Sequence, residues 1–131
     1  MTSRQKALFV ADLAKAKKAE DLAVLDMRKV SNVTDFFIIA SASSEKRAQA
    51  ISDNIEEGLL KAKESISAVE GYQEGKWILV DCYDVVSHIF TGDLRSFYNL
   101  ESLWGDAPRI NLCQKKRRKK KKRSKKTSKR K

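Results

Sequence analysis

Two strand-like segments separated by two residues constrain the fold of this chain more than any other feature. Residues 76–81 and 84–90 are rich in β-branched and aromatic side chains, and only Cys82 and Tyr83 lie between them. This pattern predicts a β-hairpin with a two-residue loop. The pairs that such a loop would place opposite each other are Trp77 with His88, Leu79 with Val86, and Asp81 with Asp84.

The two faces of the predicted hairpin differ in chemistry, because successive side chains of a strand point to opposite faces. One face is aliphatic apart from a serine, as expected for a core: Ile78, Val80, Val85, Ser87 and Ile89. The other face mixes a tryptophan, a histidine and two aspartates with aliphatic residues. Tryptophan is enriched among the anchors of protein interfaces. Two interpretations of this face stay open: it binds a partner, or a helix covers it and Trp77 belongs to the core.

The remaining segments before the basic C-terminal region, which we call the body of the chain, alternate between helical and strand-like patterns. After 41–44, where serines can cap a helix, apolar residues recur every three or four positions and predict a long helix with one buried face: Ala48, Ile51, Ile55 and Leu59. The other predicted elements are a helix at 3–19, strands at 22–27, 34–40 and 66–69, and a short helix at 93–99. Their order predicts an α/β fold, a single small domain over residues 1–110 with a mixed sheet and flanking helices.

The net charge is divided unevenly along the chain. The 131 residues carry 28 Lys and Arg against 17 Asp and Glu, a formal charge of +11. Fourteen of the basic residues lie in 114–131, where no acid occurs, so the remaining 113 residues carry a net charge of −3. A segment this basic, with almost no apolar side chains, cannot form a core, and we predict that residues 111–131 are a disordered tail. Its basic side chains can neutralise the phosphates of RNA, and the candidates are Lys115, Lys116, Arg117, Arg118, Lys119, Lys120, Lys121, Lys122 and Arg123.

Composition disfavours several classes of protein. The apolar run at 36–40 is far shorter than the roughly 20 residues that span a bilayer, and no apolar signal core follows the N-terminus. Two isolated cysteines and one histidine form neither a disulfide framework nor a metal site. The expected location is therefore the reducing cytoplasm, and we expect no membrane partner, metal or cofactor.

Catalytic patterns are weak as well. The turn at 40–44 has the place of a phosphate-binding loop, but it lacks glycine and the GK[ST] motif that follows in such loops. No strand carries two acids as D-x-D, a spacing that would bring carboxylates together around metal ions. His88 has no nucleophile motif around it. The chain is therefore predicted not to be an enzyme, and no catalytic residue is assigned.

Six segments in this order resemble the ribosome silencing factor family, also called the Iojap family. They are VLDM (24–27), TDFFIIAS (34–41), VEGY (69–72), WILVD (77–81), DVVSHIF (84–90) and YNLESLWGDAP (98–108). The resemblance covers roughly residues 5–110. No single segment is specific for the family, but the six segments together are. Members often have glycine where this chain has Tyr83, and the family domain does not require a lysine-rich tail.

The resemblance implies a nucleotidyltransferase-like topology without the catalytic residues. It also implies binding to the large ribosomal subunit through that subunit's fourteenth protein, on the face that meets the small subunit. Subunit joining would then be blocked and translation repressed, whereas organelle members assist large-subunit assembly. An acidic body suits a basic ribosomal partner. Carried over to this chain, the partner-binding surface comprises Trp77, Leu79, Asp84, Val86, His88 and Tyr98.

Two alternatives from other classes stay open. A general RNA-binding or ribosome-assembly protein would act through the basic tail, with the body as a passive carrier. A nucleotidyltransferase-like enzyme would need catalytic acids, which this sequence does not supply in a recognisable motif. Whether the free protein forms a homodimer also stays open. Removal of the tail separates the first alternative from the main hypothesis, because the main hypothesis places specific binding on the body.

Overall fold

The computed structural model describes residues 1–103, 105 and 107–110. Within them the chain forms helices and strands in this order: α1 (Ser3–Ala16), β1 (Glu20–Asp26), β2 (Phe36–Ala42), α2 (Glu45–Lys61), β3 (Ala68–Glu70), β4 (Trp77–Asp81), β5 (Val85–Thr91), α3 (Leu94–Tyr98) and α4 (Leu100–Leu103). The predicted tail at 111–131, with its candidate phosphate-binding residues 115–123, lies outside the described residues.

Among the described residues, five strands form one mixed sheet in the order β1-β2-β5-β4-β3. β2 and β5 are parallel, and the other neighbouring strands are antiparallel. This arrangement confirms the predicted α/β class with a mixed sheet and flanking helices. The observed strands begin or end one or two residues from the predicted bounds, and the sequence pattern does not predict α4.

Local hydrogen bonds explain where the two long helices begin and end. Thr2 and Gln5 form a capping box at the start of α1, because each side chain accepts a hydrogen bond from the other residue's backbone amide. α1 ends at Ala16, before the predicted end, since Lys18 has a left-handed φ of 67°. Ser44 caps α2 by accepting a backbone hydrogen bond, as the sequence predicts.

The hairpin of β4 and β5 has a different register from the predicted one. The predicted pairs are wrong by two residues, and the observed pairs are Trp77 with Phe90, Leu79 with His88, and Asp81 with Val86. The loop contains the three residues 82–84 rather than two. A shift by two keeps each strand residue on its predicted face, whereas a shift by one would reverse the faces.

Tertiary contacts of the loop explain this register. Asp84 does not face Asp81, because it lies in the loop and is held by other elements. Its carbonyl oxygen accepts the amide of Asp35 at 2.9 Å, and its carboxylate binds Lys6 of α1 at 2.6 Å. Tyr83 has a φ of 75°, in the left-handed region that glycine adopts readily and other residues rarely adopt. The turn therefore depends on contacts with α1 and β2 that a local pattern does not reveal.

Each face of the sheet carries its own apolar cluster. The larger cluster lies between the sheet and the two long helices, and its buried side chains include Val10, Phe36, Ile38, Ile51, Ile55, Leu59, Ile78 and Ile89. The smaller cluster lies on the opposite face and comprises Ala23, Leu25, Met27, Ile39, Phe90 and Ala107, with Leu94 of α3 and Leu100 of α4 packed against it. Residues 107–110 run along β1, where the amide of Ile110 donates to the carbonyl of Val24 at 2.8 Å. Over β4 and the start of β5 this face is only partly covered.

Candidate protein-docking surface

The face of the sheet opposite the long helices carries a partly uncovered apolar surface. The side chains that β4 and β5 contribute to it are half-buried. β2 contributes a half-buried side chain as well, because it is the neighbour of β5 in the sheet. Two aromatic side chains of α3 stand next to them: Phe97 is 77% exposed and Tyr98 is 45% exposed. We call this surface the aromatic face, and it is defined by Phe37, Trp77, Leu79, Val86, Phe97 and Tyr98.

Trp77 is in ring contact with His88, Phe90 and Tyr98. Its indole Nε1 donates a hydrogen bond to Nδ1 of His88 at 3.2 Å. The ring centroid of Trp77 lies 5.1 Å from that of Phe90 and 4.6 Å from that of Tyr98, both at tilted angles. The indole is thus held by side chains of β5 and α3, which reduces the conformational entropy that a partner would have to remove on binding.

His88 lies beneath this surface rather than on it. Its side chain is buried, with a residue exposure of 5%, and its ring contacts Phe37 at a centroid distance of 4.7 Å. Burial lowers the pKa of His88 to about 4, so the imidazole is neutral at pH 7. Because Nδ1 accepts the hydrogen bond from Trp77, the proton of the neutral ring lies on Nε2, which has no hydrogen-bond partner among the described residues. In the described chain, His88 fixes the orientation of Trp77.

Asp84 is separated from the other predicted partner-binding residues. Its carboxylate binds Nζ of Lys6, which also pairs with Glu64 at 3.2 Å and donates to the carbonyl of Cys82 at 3.2 Å. Burial alone would lower the pKa of Lys6, but the hydrogen bonds to Asp84 and Glu64 outweigh it and raise the pKa. Asp84 therefore joins the hairpin loop to α1, which packs on the opposite face of the sheet.

The structure thus brings five of the six predicted partner-binding residues together: Trp77, Leu79, Val86, His88 and Tyr98. It adds Phe37 and Phe97, which the sequence analysis did not select. A signal for Phe37 was present, because it has the opposite strand parity to the buried residues Phe36 and Ile38. The exposure of Phe97 depends on where the five-residue helix α3 packs on the sheet. The sequence pattern predicts a short helix here but not its packing.

The described residues offer few groups for other chemistry. No three His, Cys, Asp or Glu side chains among residues 1–103, 105 and 107–110 converge to hold a metal ion. Asp26 is bound to Arg28 at 2.6 Å, and this hydrogen bond lowers the pKa of Asp26. Burial raises the pKa of the Cys82 thiol to about 11, which disfavours the reactive thiolate. In the same part of the chain, no helix has the length and apolar character needed to cross a membrane.

Comparison with known proteins points to a single family. A family model described as "Ribosomal silencing factor during starvation" matches residues 1–131. "Ribosomal silencing factor RsfS" of Bacillus subtilis is 46% identical over 96 residues, which cover 73% of this chain and 81% of that protein. The protein of the same name from Halalkalibacterium halodurans is 44% identical over 96 residues, covering 73% of this chain and 82% of that protein. A crystal structure of a Bacillus halodurans protein superposes with a TM-score of 0.75 and 36% identity, covering 83% of this chain and 99% of that chain.

Proposed function

The chain belongs to the ribosomal silencing factor family, and we propose that it represses translation by occupying the large ribosomal subunit and blocking the small subunit from joining. The similar proteins carry the name of ribosomal silencing factor, so regulation at the ribosome is the general function of this chain. The partner within the ribosome, the binding surface and the exclusion mechanism belong to the proposal.

The aromatic face is the observation that carries this proposal. Exposed aromatic side chains beside a half-buried tryptophan are typical of interface anchors, because they bury a large apolar area at a small cost in side-chain entropy. Tyr98 and Trp77 are already in ring contact at 4.6 Å in the free chain. A partner would therefore meet a preorganised surface rather than one that has to be ordered on binding.

The family resemblance supplies the partner, the fourteenth protein of the large subunit, on the face that meets the small subunit. Residues 1–113 carry a net charge of −3, which favours encounter with a basic ribosomal protein in the cytoplasm. The basic residues of 114–131 would add sequence-independent contacts to ribosomal RNA through phosphate neutralisation. In this proposal residues 1–113 determine binding specificity, and the tail adds affinity.

The proposed mechanism is steric and needs no chemical step. Two acids that could otherwise serve in catalysis form ion pairs, since Asp26 is bound to Arg28 and Asp84 to Lys6. We therefore expect that the purified chain does not transfer nucleotides to RNA or protein when it is incubated with labelled nucleoside triphosphates and magnesium. Label transfer that Asp35→Ala or Asp84→Ala abolishes would favour the enzyme alternative.

Co-sedimentation with separated ribosomal subunits tests the proposal. The full chain should bind large subunits more tightly than small ones, and it should reduce the formation of joined ribosomes in proportion to its occupancy of large subunits. Phe97→Ala should weaken this binding, whereas Leu60→Ala, which removes a 62% exposed apolar side chain from α2 on the opposite side of the sheet, should not. Equal effects of the two substitutions would contradict a role of the aromatic face.

A general RNA-binding protein that acts through its tail remains the second candidate, favoured by the fourteen basic residues in 114–131. Such a protein would lose all binding to large subunits when the tail is removed. It would also bind free RNA and both subunits with similar affinity, because phosphate contacts carry no sequence information. Selective large-subunit binding by the chain without 114–131 would exclude this candidate.

A further inference from the structure

The short helix that carries Phe97 and Tyr98 cannot hold its position by itself. α3 has five residues, none of them is buried, and Asp93 at its N-terminus makes no side-chain capping hydrogen bond. Helices this short are unstable in isolation because nucleation costs more than the few hydrogen bonds return. The ring of Tyr98 nevertheless lies in contact with Trp77, and Phe97 meets Tyr98 edge-on at 5.1 Å. Leu94 of α3 packs against the smaller apolar cluster, and a further interaction fixes α3 against the sheet.

Arg95 supplies this interaction. Its Nε and Nη2 donate to the two carboxylate oxygens of Glu101 in α4, each at 2.9 Å, and its Nη1 donates to Oγ of Ser41 in β2, also at 2.9 Å. Arg109 donates to the same carboxylate at 2.9 Å from the segment that pairs with β1. The Arg95 side chain is only 14% exposed. We call these four residues, Ser41, Arg95, Glu101 and Arg109, the Arg95 clamp.

We propose that Arg95 is a positioning residue for partner binding, because the clamp holds Phe97 and Tyr98 of α3 in place beside Trp77. This inference rests on the proposed role of the aromatic face. Arg95 and Tyr98 lie one helical turn apart, so a movement of one displaces the other. The turn is closed after Tyr98 by Asn99, whose amide donates to the carbonyl of Arg95 at 2.8 Å.

The geometry of the clamp requires a guanidinium group rather than a positive charge alone. Arginine presents several donors in a rigid plane, which matches the two oxygens of a carboxylate and leaves a further donor for Ser41. A lysine at this position has one ammonium group and cannot span Glu101 and Ser41 in the same plane. The hydrogen bonds from Arg95 also hold the pKa of Glu101 below its ordinary value, so the carboxylate stays charged at pH 7.

The test uses the full chain with Arg95→Lys and, as a matched control, Arg28→Lys. Arg28 makes the same two-atom contact, through Nε at 2.9 Å and Nη2 at 2.6 Å, but its partner Asp26 belongs to β1 rather than to α3 or α4. We expect Arg95→Lys to weaken large-subunit binding about tenfold, which corresponds to about 1.4 kcal/mol. The melting temperature should stay near that of the unchanged protein, because the main core lies on the other face of the sheet. Arg28→Lys should change neither quantity.

Two further measurements separate positioning from direct contact. In the NMR spectrum of the unchanged chain, the neighbouring indole of Trp77 should shift the ring protons of Tyr98 upfield. In the spectrum of Arg95→Lys, these upfield shifts should be lost. In a background of Phe97→Ala with Tyr98→Ala, Arg95→Lys should have little additional effect on affinity, because the side chains that it positions are gone. Retained Tyr98 shifts with weakened binding would mean that Arg95 contacts the partner, and would overturn the inference.

Trp77→Ala distinguishes failure of this inference from failure of the proposed function. If Trp77→Ala leaves large-subunit binding unchanged, the aromatic face is not the docking surface and the proposed function fails together with the inference. If Trp77→Ala weakens binding and Arg95→Lys does not, only the positioning role is overturned. Loss of cooperative unfolding in Arg95→Lys would assign the clamp to the stability of the fold and would also overturn the inference.

Discussion

The indole Nε1 of Trp77 donates a hydrogen bond to Nδ1 of His88 at 3.2 Å. An imidazole nitrogen accepts a hydrogen bond only when it carries no proton, so this contact requires a neutral His88. Protonation of Nδ1 would place two N–H donors, those of Trp77 and His88, opposite each other and would remove the hydrogen bond that orients the indole. The central side chain of the aromatic face is therefore coupled to the charge of a residue beneath it.

The first prediction concerns the pH dependence of stability. Burial lowers the pKa of folded His88 to about 4 from its ordinary value of 6.5. Between these values the unfolded chain binds a proton that the folded chain excludes, so stability rises with pH across this range. The contribution is present above pH 6.5 and is lost as the pH falls toward 4. From pH 6.5 to pH 4.5 we expect urea denaturation to show a loss of about 2 to 3 kcal/mol in the free energy of unfolding.

His88→Asn is the control for this pH dependence, since an asparagine oxygen can accept the hydrogen bond from Trp77 without titrating. Hydrogen bonds from Arg28 and Arg95 lower the pKa values of Asp26 and Glu101 from 3.8 and 4.5, so the stability that these carboxylates contribute is lost only at still lower pH. An unchanged slope between pH 4.5 and 6.5 in His88→Asn would contradict the assignment to His88.

The second prediction concerns Trp77 itself. Trp77→Ala should weaken large-subunit binding by about thirtyfold, the effect of losing a central aromatic anchor worth about 2 kcal/mol. The protein should still unfold cooperatively, because the larger core on the helix side remains intact. Equilibrium binding to purified large subunits, together with a thermal denaturation curve, is the measurement. If Trp77→Ala abolishes folding, the residue belongs to the core and the assignment of the face is wrong.

The third prediction uses the opposite face of the same strand. Val80 is fully buried against the long helices, so Val80→Ala should lower the free energy of unfolding by about 2 kcal/mol through lost packing. Binding to large subunits at a temperature where the variant is folded should not change. Weakened binding by folded Val80→Ala protein would show that the two faces are not independent.

The fourth prediction concerns the hairpin loop. Tyr83 has a φ of 75°, and a side chain with a Cβ atom is strained in this left-handed conformation. Tyr83→Gly should therefore be more stable than Tyr83→Ala by about 1 kcal/mol, because both variants lose the exposed ring and only glycine relieves the strain. Chemical denaturation of the two variants gives the difference directly. An alanine variant as stable as the glycine variant would mean that the loop relaxes to another conformation.

The fifth prediction concerns the tail. Deletion of 114–131 removes fourteen basic residues, and each phosphate contact that they make should steepen the dependence of binding on salt. The shortened chain should bind large subunits less tightly at low salt and with a flatter salt dependence, while it still blocks subunit joining at higher concentration. Failure to block joining at any concentration would make the tail essential and would favour the RNA-binding alternative.

Particular residues show which parts of the structure the sequence could predict. Alternation along β4 and β5 assigned Trp77 and Val80 to opposite faces, since strand periodicity is a local property. The register could not be derived in the same way, because Asp84 is held by Lys6, which lies far away along the chain. The position of Phe97 likewise depends on the Arg95 clamp, whose members come from β2, α3, α4 and residues 107–110. Sequence patterns therefore assign the strand side chains to their faces but do not reveal the contacts that shape the aromatic face.

The parallel pairing of β2 with β5 places Phe37 beside Val86, and α3 then adds Tyr98 to the same surface. No continuous piece of chain shorter than residues 37–98 contains all three side chains. During synthesis, the aromatic face can therefore form only after most of the domain has emerged and folded. Early fragments of the chain carry the individual aromatic residues without the surface, so the proposed docking surface arises only together with completion of the fold.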